Sequence, residues 1–115
     1  MNLHQRDIVE IAFYTGRKPE ADPAIVVSTD NIFETEGFFH AILLSTKNIY
    51  PDFTLEINPE MINNPRNQRI GYAVCHMIQQ FYPEDIVTRT GAPLKMHAFR
   101  KVVSKVQDVI FGIEE

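Results

Sequence analysis

The hydrophobic rhythm of this chain changes once, from a period of two along most of its length to a period near 3.6 after Met96. That change constrains the fold more than any other feature, because period two lines one face of a strand and period 3.6 one stripe of a helix. In DIVEIAFY (7–14), Val9, Ile11 and Phe13 fall on one side, with Glu10 and Ala12 on the other, as in a half-buried strand. TGRKPEADP follows as a long polar loop punctuated by Gly16, Pro19 and Pro23. DPAIVVSTDN (22–31) then enters a buried strand over Ala24–Val27 and leaves it through a polar turn. NIFETEG is a turn or a short helix ending at Gly37, and FFHAILLST (38–46), apolar on both faces, reads as a central strand. DFTLEIN (52–58) alternates again, Phe53, Leu55 and Ile57 inward and Thr54 and Glu56 outward.

PEMINNPRNQR is turn chemistry, and IGYAVCHMIQQF (70–81) holds one strand, or two short strands joined by a bend. Gly91 and Pro93 mark the last break. Beyond it Phe99, Val102, Val103, Val106, Val109 and Ile110 recur at steps of three and four, opposite Arg100, Lys101, Lys105 and Asp108. Strands first and one helix last predicts a mainly β, α+β architecture: a small antiparallel barrel or strongly curved sheet carrying a C-terminal amphipathic helix. No internal repeat or linker interrupts the pattern, so residues 1–115 read as one domain.

With 44% hydrophobic and 23% charged residues the chain is globular in composition. Its net charge of −4 opposes a strong nonspecific nucleic-acid binder, so any RNA function must be carried by a few placed cations. The single cysteine, Cys75, cannot pair within the chain and fits a reducing cytoplasm. MNLHQRD lacks the basic and apolar regions of a signal peptide, and FFHAILL is far short of the ~20 residues that span a bilayer. The expectation is a soluble cytoplasmic protein without membrane contact.

Phosphate-binding glycine loops, zinc spacings and metalloprotease motifs are absent from the sequence, which predicts neither cofactor nor metal. His4 falls in an expected frayed terminus, and His97 in the first helical turn, where a surface role is expected. His40 and His76 lie on neighbouring predicted strands, and either has the chemistry of a general acid or base. The alternative for each is a histidine satisfied within the sheet. Ser45-Thr46-Lys47 ends the third strand with two hydroxyls and a cation, a group able to hold a phosphate or simply to enter a turn. Arg17 and Lys18 are cations in the first long loop, and Cys75 reads as a small buried hydrophobe.

Taken in order, RDIVEIAF, DPAIVVSTDN, FHAILLSTKN, FTLEI, YAVCHMIQQF and GAPLKMHAFRKVVSKVQDVIFG resemble the MazF/PemK family of toxins from bacterial toxin–antitoxin systems. The resemblance covers nearly the whole chain. It implies an SH3-like barrel with helices, a homodimer, an antitoxin as protein partner, and metal-independent cleavage of single-stranded RNA through the neighbouring 2'-hydroxyl. Such chemistry needs a base, an acid, and cations facing the charge that develops on phosphorus. The family's arginine, immediately before the proline of its Arg-Pro signature, falls on Asp22, and its frequent threonine on Ser45. The later acidic residue falls on His76, and the arginine of the Gln-Ile-Arg segment on Gln79.

Two readings follow. In the first the chain is a diverged endoribonuclease, with His76 and His40 as acid and base, Ser45 orienting the phosphate, and Arg17, Lys18, Thr46, Lys47 and Gln79 as RNA contacts. In the second it is a non-catalytic member that keeps an antitoxin-, protein- or RNA-binding groove. An SH3-like interaction module outside the family is the third alternative.

Overall fold

The first apolar alternation becomes strand β1 (Ile8–Tyr14), which turns back into β2 (Pro19–Val26). A short helix α1 (Asp30–Glu36) leads to β3 (Phe39–Ser45) and then β4 (Thr54–Ile57). The chain continues through β5 (Gly71–Phe81) and β6 (Ile86–Arg89) to the long helix α2 (Met96–Phe111). This computed structural model describes residues 2–14, 19–62, 71–89 and 92–115, with backbone alone at 13, 14, 19 and 20.

The six strands form one antiparallel sheet in the order β4-β5-β3-β2-β1-β6, with the apolar β3 at its interior as expected. The sheet does not close into a barrel. Among the described residues β4 and β6, four residues each, end the sheet without a ladder joining them. Instead α2 packs across β5 and β4.

Alternation sorts the apolar side chains into two layers. Ile8, Ile25, Ile42, Leu44, Ile57, Ala73 and Cys75 face α2, meeting Ala98, Phe99, Val102 and Val106. Val9, Ile11, Ala24, Val26, Phe39, Ala41 and Phe81 face the other way and are covered by Leu3, with Phe33 of α1 packed against them. The helix buries the predicted stripe except at its last turn, where Ile110 is exposed. Helix α1 ends at Gly37, whose φ of +78° is left-handed backbone that glycine adopts without strain.

Four sequence expectations are corrected. Strand β2 begins at Pro19, inside the expected loop. Its ladder to β3 spans only Ala24–Val26, so at Pro19 and Pro23 one side of the strand is unladdered and a missing N–H is tolerated. Strand β6 was not expected; it pairs with β1 through Val9↔Arg89 and Glu10↔Thr88. Phe53 lies outside β4 and is 40% exposed rather than inward. His4 is not frayed: its Nδ1 lies 2.7 Å from Asp30 Oδ2, and neighbouring Leu3 is buried. The facing of Phe13 lies outside the described side chains.

That N-terminal clasp turns on Arg6, the one non-glycine residue with positive φ among those described (78°). Arg6 N–H donates to Val26 O (2.9 Å), and Arg6 O accepts from Leu94 N–H (2.9 Å). Its guanidinium donates to Leu94 O at 3.1 Å. Three hydrogen bonds hold a conformation that costs an L-residue about 1–2 kcal/mol.

Candidate functional site

Strand register assembles the polar residues at one end of the sheet. Ser45 pairs with Tyr72, and Tyr72 with Glu56. On the other flank Ile11 pairs with Asp22. The β2–β3 ladder ends at Ala24↔Leu43, and Asp22 on β2 and Ser45 on β3 each lie two residues beyond that pair. Directly opposed residues share a face. Ser45–Tyr72–Glu56 therefore forms one row across β3, β5 and β4, and Ile11–Asp22 another across β1 and β2, both on the face of the second core layer, to which Ile11 belongs.

Ser45 ends β3, and its hydroxyl is already engaged. Oγ donates to Lys47 O (2.8 Å) and accepts from Lys47 N–H (3.2 Å), a side-chain turn that directs the chain out of the strand. Thr46 and Lys47 are consequently exposed, and Lys47 forms no ion pair with a described residue. Asp22 is half-buried, and its carboxylate makes no hydrogen bond to a described residue. Arg17 and Lys18 lie outside the described residues. Within the described part, this face thus carries the carboxylates of Asp22 and Glu56 beside the Asp7–Arg89 ion pair, with the cation of Lys47 just past the end of β3.

His76 is on the same face as Tyr72. Tyr72, Val74 and His76 alternate with Ala73 and Cys75, which face α2. Counting four residues of strand rise puts His76 roughly 13 Å along β5 from Tyr72. The β3–β5 ladder slips across this stretch, from Leu44↔Ala73 to Ile42↔Ile78, and the strand bends there. Of the two predicted alternatives, one bent strand is what forms. Tyr50 and Phe53 pack on the imidazole, with centroid separations of 4.8 and 4.6 Å. Nδ1 is buried without a partner, so Nε2 is the ring atom through which His76 can exchange a proton or bind a ligand.

His40 is elsewhere. It sits at the opposite end of β3 from Ser45, on the α2-facing side with Ile42 and Leu44, across from Gln80. Its ring is edge-on to Phe38 at 5.6 Å, and its N–H donates to Ser28 Oγ at 2.9 Å. The structure pairs Ser45 with Tyr72, with Asp22 and His76 on the same face, and does not bring His40 to them. Gln79, opposite Ala41, shares the face of Ser45 but lies two residue pairs beyond Leu43. His97 is exposed at the start of α2.

Cys75 is fully buried. Burial pushes its thiol up to about 11, against the opposing pull of Lys105. Such a thiol is a weak nucleophile. Among the described residues no three His, Cys, Asp or Glu side chains come together as metal ligands would.

Tyr72, Tyr50 and Phe53 were not singled out in the sequence as functional, and Glu56 only as an outward strand residue. Their signal is cross-strand register and the fold of the loop after β3, neither of which a period-two pattern encodes.

A family model described as PemK-like, MazF-like toxin of type II toxin–antitoxin systems matches residues 4–110. No curated protein sequence matches the chain. Among solved structures, an endoribonuclease in complex with its cognate antitoxin from a mycobacterial species superposes with a TM-score of 0.75 at 14% identity, covering 99% of both chains. A MazE–MazF complex from Deinococcus radiodurans gives 0.75 at 14%, over 97% of this chain and 98% of that one. The Mycobacterium tuberculosis toxin MazF-mt6 gives 0.67 at 11%, over 96% and 100%. At such identities these structures share the fold.

Proposed function

From its place among the PemK-like, MazF-like toxins of type II toxin–antitoxin systems, the family to which this chain belongs, we propose that it is a toxin component that binds single-stranded RNA without the family's arginine-centred cleavage chemistry. One observation carries this reading: the Ser45 hydroxyl is spent on the turn to Lys47, while a carboxylate, Asp22, lies on the same face two residues beyond the end of the β2–β3 ladder. A carboxylate there repels the phosphate backbone and offers nothing to the charge that builds on phosphorus during transfer to the 2'-hydroxyl. Lys47, with Arg17 and Lys18 of the segment between β1 and β2 in the sequence, supplies the cations for RNA.

An antitoxin is the proposed protein partner, in keeping with the complexes in which the structural neighbours occur. The proposed assembly is a homodimer acting in the cytoplasm; the lone thiol of Cys75 suits a reducing compartment, and no helix among the described residues is long and apolar enough to cross a membrane.

The test is cleavage of a long mixed-sequence RNA by purified protein in metal-free buffer. Cutting is expected to be absent or slight while the same RNA is bound. Efficient, sequence-specific cutting would overturn the reading. A second reading is favoured by one specific feature, the exposed-face position of His76 with Nε2 as its working atom. There the chain is a diverged endoribonuclease using His76 for proton transfer, and His76→Ala abolishes a cleavage that His40→Ala leaves intact.

A further inference from the structure

We infer that Tyr50 and Phe53, packed on His76, form a stacking platform for an unpaired base of single-stranded RNA. The inference rests on the RNA-binding reading above and names a subsite of it. The three rings form one cluster on the β5 face, and the two outer rings are each 40% exposed, a large apolar area left to water. Ile49 before them is 63% exposed. Nothing in core packing requires this: both layers of the sheet are filled without Tyr50 or Phe53.

The loop that presents the rings is held in place. Phe53 N–H donates to Tyr50 O (2.9 Å), and Phe53 O accepts from Cys75 N–H (3.1 Å), tying the loop to β5. Thr54 Oγ1 donates to Asn48 Oδ1, and the Ser45–Lys47 turn fixes its start. Aromatic side chains on an ordered loop offer contact area with little conformational entropy left to lose on binding.

The chemistry of the ligand follows from the shape and the charge. The platform offers π-faces, and every nucleobase has a π-face, so stacking there is tolerant of sequence. The loop also carries one exposed cation, Lys47, three residues before Tyr50, and one exposed carboxylate, Asp52, between the rings, so a phosphodiester attached to the base is accommodated on the Lys47 side. A flat heterocycle attached to a phosphodiester meets both conditions. The unpartnered Nδ1 leaves His76 Nε2 as the polar atom of the platform, able to meet a base edge.

The experiment titrates fluorescent oligouridine, and an abasic oligonucleotide of equal length, into the full chain at several salt concentrations. Tyr50→Ala and Phe53→Ala should each weaken oligouridine binding roughly ten- to hundredfold, with the salt dependence unchanged. Tyr50→Phe should bind as wild type, and the abasic strand should be indifferent to all three substitutions. Lys47→Ala should instead lower the salt slope by about one. Circular dichroism confirms that each variant is folded. Wild-type affinity in both alanine variants overturns the platform while RNA binding stands. So does a change of oligomeric state in Tyr50→Ala with RNA affinity per protomer unaltered, which would assign the patch to a protein interface. Failure of wild type to bind either strand at low salt overturns the RNA reading itself, and the platform with it.

Discussion

At the scale of single residues, the chain departs from the family resemblance at Asp22 and Gln79, its arginine positions, and at His76, its acidic one, and Asp22 alone reverses a charge. Asp22 occupies the position that the family resemblance gives to arginine, on the face that carries Ser45. Asp22→Arg exchanges repulsion for attraction, and one such preorganised group is worth roughly 3 kcal/mol, or about a hundredfold in rate. The expected result is a measurable gain of cleavage in metal-free buffer, read from fragment accumulation, and its loss again in Asp22→Arg combined with His76→Ala. A second residue-level prediction concerns Cys75. Its thiol titrates near 11 in the fold and from 9.0 in the unfolded chain, because burial opposes the thiolate. The folded state therefore keeps its proton longer, and stability should fall as pH rises above about 9 through the folded value. Near pH 8 a thiol reagent should leave the native protein unmodified and label Cys75 fully in denaturant. Rapid native labelling would mean that the β5–α2 interface opens.

At the scale of elements, α2 covers one layer of the core, with Ile62 and Leu94 completing it. Val102 and Val106 sit against Ile42, Leu44 and Cys75 in that layer, with Phe99 on the same stripe. Val106→Asp buries a carboxylate with no partner, costing several kcal/mol against a total of about 5–15. The variant should be unfolded or melt far below wild type by calorimetry; a near-wild-type Tm would place the helix face wrongly. This helix was legible because six apolar residues at steps of three and four admit one facing. The strands of the alternating segments were legible for the same reason, with the opposite period. Strand β6 was not: Ile-Val-Thr-Arg is four residues, of which Val87, Thr88 and Arg89 are exposed, so no buried face imprints an alternation. The start of β2 was hidden by its prolines, which punctuate a loop in most settings and are tolerated here by a missing neighbour. Of the site, Ser45 and His76 could be picked out by residue type. That His40 falls on the other face and that Tyr72 joins the row depend on pairing, which local sequence does not carry.

At the scale of the whole molecule, an open sheet leaves two edges, both of them short strands, and α2 covers the layer beside β4 and β5. Short edges limit strand addition by other chains. The sheet order has another result, and it concerns time. Beside the hairpin of β1 and β2 lies β6, joined to β1 through Val9↔Arg89, and Arg6 clasps Leu94 across 88 positions. Contacts that close so much chain cannot form until the rest is collapsed, since loop entropy is spent before they return anything. The β1–β6 ladder and the Arg6 clasp should thus be absent from the folding transition state. Arg89→Ala removes the 2.6 Å ion pair with Asp7 at that seam. In stopped-flow it should speed unfolding and leave the refolding rate near wild type, the signature of a contact made after the barrier.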